Sequence, residues 1–304
     1  MTSILTCKKL PLIITLIGPT ASGKTDLAIA LAQCLNLPIL SIDSRQLYSE
    51  MEIGTTQPTI SQRAKVQHEL LGLRKPNDPI NLQEFVKVAS RTIQKEHERC
   101  GVAFLVGGSG LYVKALTNSI SPPAVPPHTN LRDQLEYLGK QNCNELLHIA
   151  DPASANRIDS QDSVRTQRAL EVIYTTGEPL SMQQGQNVIS WRLLELGLDP
   201  GVLRQRIQKR SISLYKKGLV EETRRLINRY GHDLPLLKTI GYGEICRWLF
   251  GEIDLKTALI ITIHRTLQYA KRQRTWFYHQ HEVLWLNEAN PLEHALIAVE
   301  HVLG

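Results

Sequence analysis

Cysteine is scarce in this chain, and its placement argues against two classes of protein at once. The five cysteines among 304 residues, Cys7, Cys34, Cys100, Cys143 and Cys246, are odd in number, widely scattered and form no Cys-x-x-Cys pair. Neither a disulfide framework nor a zinc knuckle fits that spacing, so a reducing, cytoplasmic setting is expected. Long apolar runs are missing too. No stretch reaches the roughly 20 residues a membrane helix needs, and no membrane partner is expected. Met1–Leu10, with Lys8 and Lys9 after its apolar residues, lacks the form of a secretory signal. Repeats and low-complexity tracts are absent apart from a proline cluster, and aromatic residues make up 6%. What remains, 42% hydrophobic and 21% charged residues, is the composition of a globular protein with a substantial core.

The most informative stretch is Gly18-Pro-Thr-Ala-Ser-Gly-Lys-Thr25, which follows the apolar run Leu12–Ile17. It has the Gly-x-x-x-x-Gly-Lys-Thr spacing of a phosphate-binding loop. The residues after it carry Ala28, Leu31, Ala32 and Leu35 at helical spacing, giving the strand–loop–helix context the motif requires. Gly18 and Gly23 permit backbone torsions that turn successive N–H groups toward phosphate oxygens. The helix N-terminus adds partial positive charge, Lys24 a full one, and the Thr25 hydroxyl is placed to ligate Mg²⁺. An ordinary Gly-containing strand–helix turn is the bland alternative, which the full motif disfavours.

A kinase or hydrolase built on this loop usually has a second strand ending in a metal-holding Asp. The strand Val102–Val106 ends instead in Gly107-Gly-Ser-Gly110, with no acid. A carboxylate appears earlier, where Leu37-Pro-Ile-Leu-Ser-Ile runs into Asp43. Parallel strands joined by helical crossovers share one carboxyl edge, so Asp43 should face the loop's crevice. It is there as a metal ligand, as a general base on an incoming nucleophile, or as the cap of the next turn. The polar Ser44, Arg45 and Gln46 that follow suit recognition of a polar acceptor better than a cap.

The expected fold class is α/β, a P-loop NTPase-like parallel sheet core with a helical insertion lobe. Residues 1–120 form the first part of the core, with a polar stretch at Tyr48–Gln67 and a helix opened by Asn81-Leu-Gln-Glu84, a capping-box-like start. Ser121-Pro-Pro-Ala-Val-Pro-Pro127 opens the insertion, residues 121–187, with helices at Leu131–Leu138, Glu145–Ile149 and Val164–Tyr174. Residues 188–304 return to the core through a strand at Val188–Leu196, then run mostly helical: Gly201–Ser211, Leu219–Arg229, Asp254–His279 and Pro291–Val302, with a short strand at Val283–Leu286. The net charge of +6 is concentrated between Arg204 and Arg274, which makes a polyanion a candidate partner and solvated helix faces the alternative.

Together these motifs closely resemble the tRNA dimethylallyltransferases, also called tRNA isopentenyltransferases, from Leu12 to Trp276. The carriers are Gly18–Thr25, Ser41-Ile-Asp-Ser-Arg-Gln-Leu-Tyr48, Met51-Glu-Ile-Gly-Thr55, Val106-Gly-Gly-Ser-Gly-Leu-Tyr112, Asp151-Pro-Ala-Ser-Ala-Asn-Arg157, Arg165-Thr-Gln-Arg-Ala-Leu-Glu171, Ile240-Gly-Tyr242 and Ala270-Lys-Arg-Gln273. The loop alone is generic; its combination with the Asp-Ser-Arg-Gln and Gly-Gly-x-x-Leu-Tyr stretches is specific. Ser109 stands where the family often has Thr, and the chain lacks the C-terminal zinc-finger extension of eukaryotic members, so the likeness is to the bacterial type.

The resemblance implies transfer of a dimethylallyl group from dimethylallyl diphosphate to N6 of the adenosine 3′ to the anticodon, in tRNAs reading codons that begin with U. On that reading Gly18, Pro19, Thr20, Ala21, Ser22, Gly23, Lys24 and Thr25 cradle the diphosphate, Thr25 holds Mg²⁺, and Arg210 reaches the diphosphate. Asp43 meets the adenine amine, which completes a catalytic set of Asp43, Lys24, Thr25 and Arg210. Contacts to the tRNA anticodon stem-loop fall to Asp43, Ser44, Arg45 and Gln46, to Val164, Arg165, Thr166, Gln167 and Arg168, and to Lys238, Thr239, Ile240, Gly241, Tyr242 and Gly243, with Ser109 and Arg132 as single contacts. The protein is expected to be a monomer. The rivals are an adenylate isopentenyltransferase acting on free nucleotide and a P-loop small-molecule kinase.

Overall fold

The apolar run that precedes the glycine loop forms the middle of a parallel sheet. A computed structural model of the chain describes residues 10–117, 123, 125–183 and 191–304. In chain order its elements are β1 (Leu12–Ile17), α1 (Lys24–Leu35), β2 (Ile39–Ser41), α2 (Ile60–Arg63), β3 (His68–Glu69), α3 (Leu82–Cys100), β4 (Val102–Gly107) and α4 (Gly110–Thr117). Then come α5 (Thr129–Leu138), α6 (Lys140–Ala150), α7 (Pro152–Arg157), α8 (Ser163–Thr176), β5 (Arg192–Gly197), α9 (Leu203–Lys216), α10 (Leu219–Tyr230), α11 (Tyr242–Leu249), α12 (Leu255–Gln280), β6 (Leu284–Trp285) and α13 (Pro291–Leu303).

The strands pair in the order β3-β2-β4-β1-β5-β6, each pair parallel. β1 lies between β4 and β5 and is buried along its whole length, which is why, Thr15 aside, it reads as a hydrophobic run instead of an alternation. Leu12, Ile14 and Leu16 pack with Leu27, Leu31 and Ala32 of α1 and with Ala295 and Val299 of α13. Among the described residues no helix is long and apolar enough to cross a membrane.

Two compact units are present. The first comprises Met1–Ile80, Val88–Thr117 and Ile189–Gly304 and contains the sheet. The second comprises Asn81–Lys87 and Asn118–Val188; Leu135, Cys143, Leu147, Ala169 and Leu170, from α5, α6 and α8, form a core of its own. Residues 118–122, 124 and 184–190 lie outside the described residues, and with them most of the proline cluster's start, the far end of the insertion and Val188–Ser190 of the expected returning strand.

The carboxyl edge of the sheet is drawn tight around one glycine. Ile42 N–H donates to Val106 O at 2.8 Å, and a Cβ built at Gly107 would stand 2.0 Å from Ile42 O. Only the missing side chain lets the end of β4 approach the backbone that leads into Asp43. Gly107→Ala is expected to lower stability by on the order of 1–3 kcal/mol, measured by denaturant unfolding, because backbone and not a flexible side chain must give way.

Candidate active site

The loop between β1 and α1 is shaped by left-handed backbone at its two glycines. Gly18 has φ 146 and Gly23 φ 96, and a Cβ at Gly18 would meet Leu198 O at 2.2 Å. Ala21 between them adopts φ 63, an uncommon conformation for a residue with a side chain. Leu27 N–H is bonded to Gly23 O, so the N–H groups of Lys24, Thr25 and Asp26 precede the first intrahelical bond and are the donors a helix start presents to an anion. The Lys24 ammonium folds back over the loop, donating to Gly18 O at 2.8 Å and Pro19 O at 2.7 Å.

Asp43, Lys24 and Arg210 come together. Burial and the Arg210 charge lower the Lys24 pKa from 10.5 to about 7, against the opposing pull of Asp43 and Asp199. Arg210 is itself lowered by burial, and Asp43 opposes this. Two cations crowded in a partly desolvated cleft, with Asp43 beside them and Asp199 paired to Arg274, form a site that gains when an anion enters. The cost of charged Lys24 also appears in stability. Its value in the folded chain lies below that of the unfolded chain, so between about pH 7 and 10.5 the unfolded chain binds the extra proton and stability rises with pH. In Lys24→Met that rise should vanish: the difference in Tm, variant minus wild type, is expected to fall as pH climbs through this window, read by thermal unfolding of the free protein.

Asp43 sits just past β2. Its Oδ1 accepts Arg45 N–H at 2.9 Å, closing the expected turn, and among the described residues Oδ2 accepts no hydrogen bond. Ser109 is bonded to the same segment: Ser44 N–H donates to Ser109 Oγ at 3.1 Å. Tyr112 and Tyr269 stand close enough to Asp43 to feel its charge; burial first, then Tyr48 and Asp43 for Tyr112 and Asp43 for Tyr269, raise both to about 12, so both remain O–H donors. The Arg272 guanidinium lies 5.9 Å from the Tyr269 ring centroid.

Arg210 is held from the side. Its guanidinium bonds the Thr56 hydroxyl, and the turn that carries Thr56 is fastened to α10 by Glu222. The buried Glu222 carboxylate accepts Ile53 N–H at 3.0 Å, Gly54 N–H at 2.9 Å and the Tyr242 hydroxyl at 2.6 Å. A Cβ at Gly54 would meet the Tyr242 ring at 2.3 Å, so the Met51–Thr55 motif is packed on Tyr242.

That packing bears on one expected contact. Tyr242 is fully buried and offers no side-chain surface to a nucleic acid. Gln46 is also committed: its amide bonds Ser41 Oγ, Thr55 O and Thr56 O. Lys238 is exposed, Thr239, Ile240 and Gly243 are half-buried, and Gly241 N–H is bonded to Glu244. In the helical unit Val164 and Arg165 are exposed, whereas Thr166 is buried with its hydroxyl on Asp162 O, so Thr166 too is structural. Arg132 and Arg168 converge on Glu171, a fully buried carboxylate. Burial would push Glu171 up, but bonds from Arg132, His128 N–H and Arg168 outweigh it and hold its pKa at about 2. Both arginines keep part of their surface exposed.

Two residues without an assigned role in the sequence touch the loop. Arg206 donates to Ser22 O at 2.6 Å, and Gln273 bonds Thr20 N–H. Arg206 lies one helical turn before Arg210 on α9, a spacing that places both on one face and could have flagged it.

Residues 46–280 match the sequence profile of the family IPP transferase. The chain belongs to that family. It is 56% identical to a tRNA dimethylallyltransferase of Parasynechococcus marenigrum (strain WH8102), over 96% of this chain and 98% of the relative. A tRNA dimethylallyltransferase of Prochlorococcus marinus (strain MIT 9313) is 52% identical over 95% of this chain and 97% of its own. Among solved structures, the full-length tRNA isopentenylpyrophosphate transferase of Bacillus halodurans superposes with a TM-score of 0.70 at 31% identity, covering 95% of this chain and 96% of that one. A eukaryotic dimethylallyltransferase captured acting on tRNA superposes at 0.80 with 24% identity, over 96% of this chain and 79% of that one, and shares the fold. The IPP transferases are transferases, and the α/β P-loop-like core expected from the glycine loop is theirs.

Proposed function

We propose that the protein transfers a dimethylallyl group from dimethylallyl diphosphate to N6 of the adenosine 3′ to the anticodon, in tRNAs reading codons that begin with U. The observation that carries this reading is that Asp43 lies near enough to Lys24 and Arg210 for its charge to act on both, an acceptor-side carboxylate beside an anion cradle. The N6 lone pair forms the new C–N bond while the allylic C–O bond breaks and its electrons leave with the diphosphate. Lys24, Arg210 and the N–H groups at the start of α1 meet the growing negative charge. The amine proton passes to Asp43, whose Oδ2 is the oxygen not already bonded in the turn.

No water-activating acid is required beside the loop, because the diphosphate is a leaving group. This accounts for a β4 that ends in glycines, and it disfavours the kinase reading. Mg²⁺ fits as an ion shared with the substrate. Thr25 presents an exposed hydroxyl in the first turn of α1, and among the described residues no cluster of three His, Cys, Asp or Glu side chains is arranged to hold a metal alone. When bound, it would neutralise charge on the diphosphate. We read the enzyme as a monomer.

The acceptor is read as tRNA rather than free nucleotide because the basic Arg204–Arg274 stretch and the helical unit exceed what a mononucleotide needs. Mass spectrometry of tRNA nucleosides from cells lacking the protein tests the assignment: N6-prenyladenosine and its derivatives should disappear. Their persistence at normal levels would refute it.

A further inference from the structure

Gln273 lies 253 residues from the glycine loop in sequence and is buried against it. Its side-chain oxygen accepts Thr20 N–H at 2.8 Å, and its side-chain nitrogen donates to Gly108 O at 2.7 Å. The two partners fix the orientation of the amide, since a flip would set donor against donor and acceptor against acceptor. The contact is close on both sides: a Cβ at Gly108 would come within 2.6 Å of the Gln273 nitrogen. α12 therefore pins together the ascending limb of the loop and the end of β4.

This has a chemical consequence for the cradle. In a loop of this kind the backbone N–H groups cradle linked phosphates and the lysine reaches toward the outer ones, so a loop donor already bonded within the protein is lost to an added phosphate. Here the helix-end donors of Lys24, Thr25 and Asp26 precede the first intrahelical bond and are left for a ligand, whereas the Thr20 donor on the ascending limb is already occupied. We propose that Gln273 sets the capacity of this loop at two phosphates: by capping Thr20 N–H and tying it to Gly108, it denies a third phosphate its donor and selects a diphosphate ester over a nucleoside triphosphate. The inference rests on the reading of the loop as a diphosphate cradle and names the residue that makes it one. Gln273 is a positioning residue and touches no reacting atom.

The test uses the whole protein and two inorganic probes, pyrophosphate and tripolyphosphate, whose binding in the presence of Mg²⁺ is measured by titration calorimetry. Wild type is expected to bind pyrophosphate and to gain nothing from the third phosphate. Gln273→Ala and Gln273→Met both free the Thr20 amide, and each should shift the affinity ratio toward tripolyphosphate by about tenfold, the effect of one hydrogen bond to a charged group. If the alanine variant does not fold, the methionine variant, which keeps the volume, decides. A shift of about fivefold or more in a folded variant supports the proposal, and a smaller one overturns it. Failure of wild type to bind pyrophosphate at all would instead refute the diphosphate cradle itself. A merely structural glutamine would weaken both probes alike and leave their ratio unchanged.

Discussion

Asp43→Ala is expected to reduce prenyl transfer by roughly 10²–10⁴-fold while tRNA affinity changes little. An exocyclic adenine amine is a weak nucleophile, and positive charge builds on its nitrogen as the new bond forms. A carboxylate with one oxygen engaged by Arg45 N–H and the other available is suited to take that proton. Asp43→Asn separates proton removal from orientation, because the amide oxygen can still accept Arg45 N–H but cannot take a proton at the second position. The asparagine variant should fall with the alanine variant in single-turnover rate. If it keeps a rate within about tenfold of wild type, Asp43 orients the amine and something else removes the proton.

Arg210→Ala carries the second large effect, a loss of about 10²–10³-fold in kcat/KM for the prenyl diphosphate. The guanidinium is half-buried, held by Thr56 and set against Lys24, so its charge acts where little water screens it. Arg210→Lys should recover only a small part. A lysine places one point charge where the planar fork supplies two parallel donors, and it cannot keep the Thr56 bond while reaching the diphosphate. KM for tRNA should stay near its wild-type value in both variants. Parallel loss in KM for both substrates would mean that Arg210 maintains the site's structure instead of meeting the leaving group.

Much of this was legible before any coordinates. The glycine loop with its flanking strand and helix, the strand leading into Asp43, and the long helices ending at Lys216, Tyr230 and Gln280 carry periodic apolar signals that local sequence cannot hide. The elements that escaped are short. β3 is two residues, His68–Glu69, with no alternation to read, and α2 is one capped turn inside the polar stretch Tyr48–Gln67. α7 begins on a proline, and α11 begins at Tyr242 between two glycines that look like loop. Tyr242 shows the deeper limit. Its place in the motif suggested a surface contact, but the buried Glu222 and the side-chain-free Gly54 make its pocket, and both are distant in sequence. The loop contact of Gln273 was hidden for the same reason, since its partner Thr20 lies 253 residues away; Arg206, one turn before Arg210, did leave a helical-spacing trace.

In the proposed reaction the cradle grips a departing diphosphate while a neighbouring carboxylate directs an adenine nitrogen. Its most direct test is a single reaction with purified protein, dimethylallyl diphosphate and unmodified tRNA carrying adenosine 3′ to the anticodon, in which released pyrophosphate and alkylated nucleoside are both counted. The two should appear one for one, with the new group on N6 of that adenosine. Pyrophosphate or phosphate released without nucleoside alkylation, or alkylation at another atom, would contradict it.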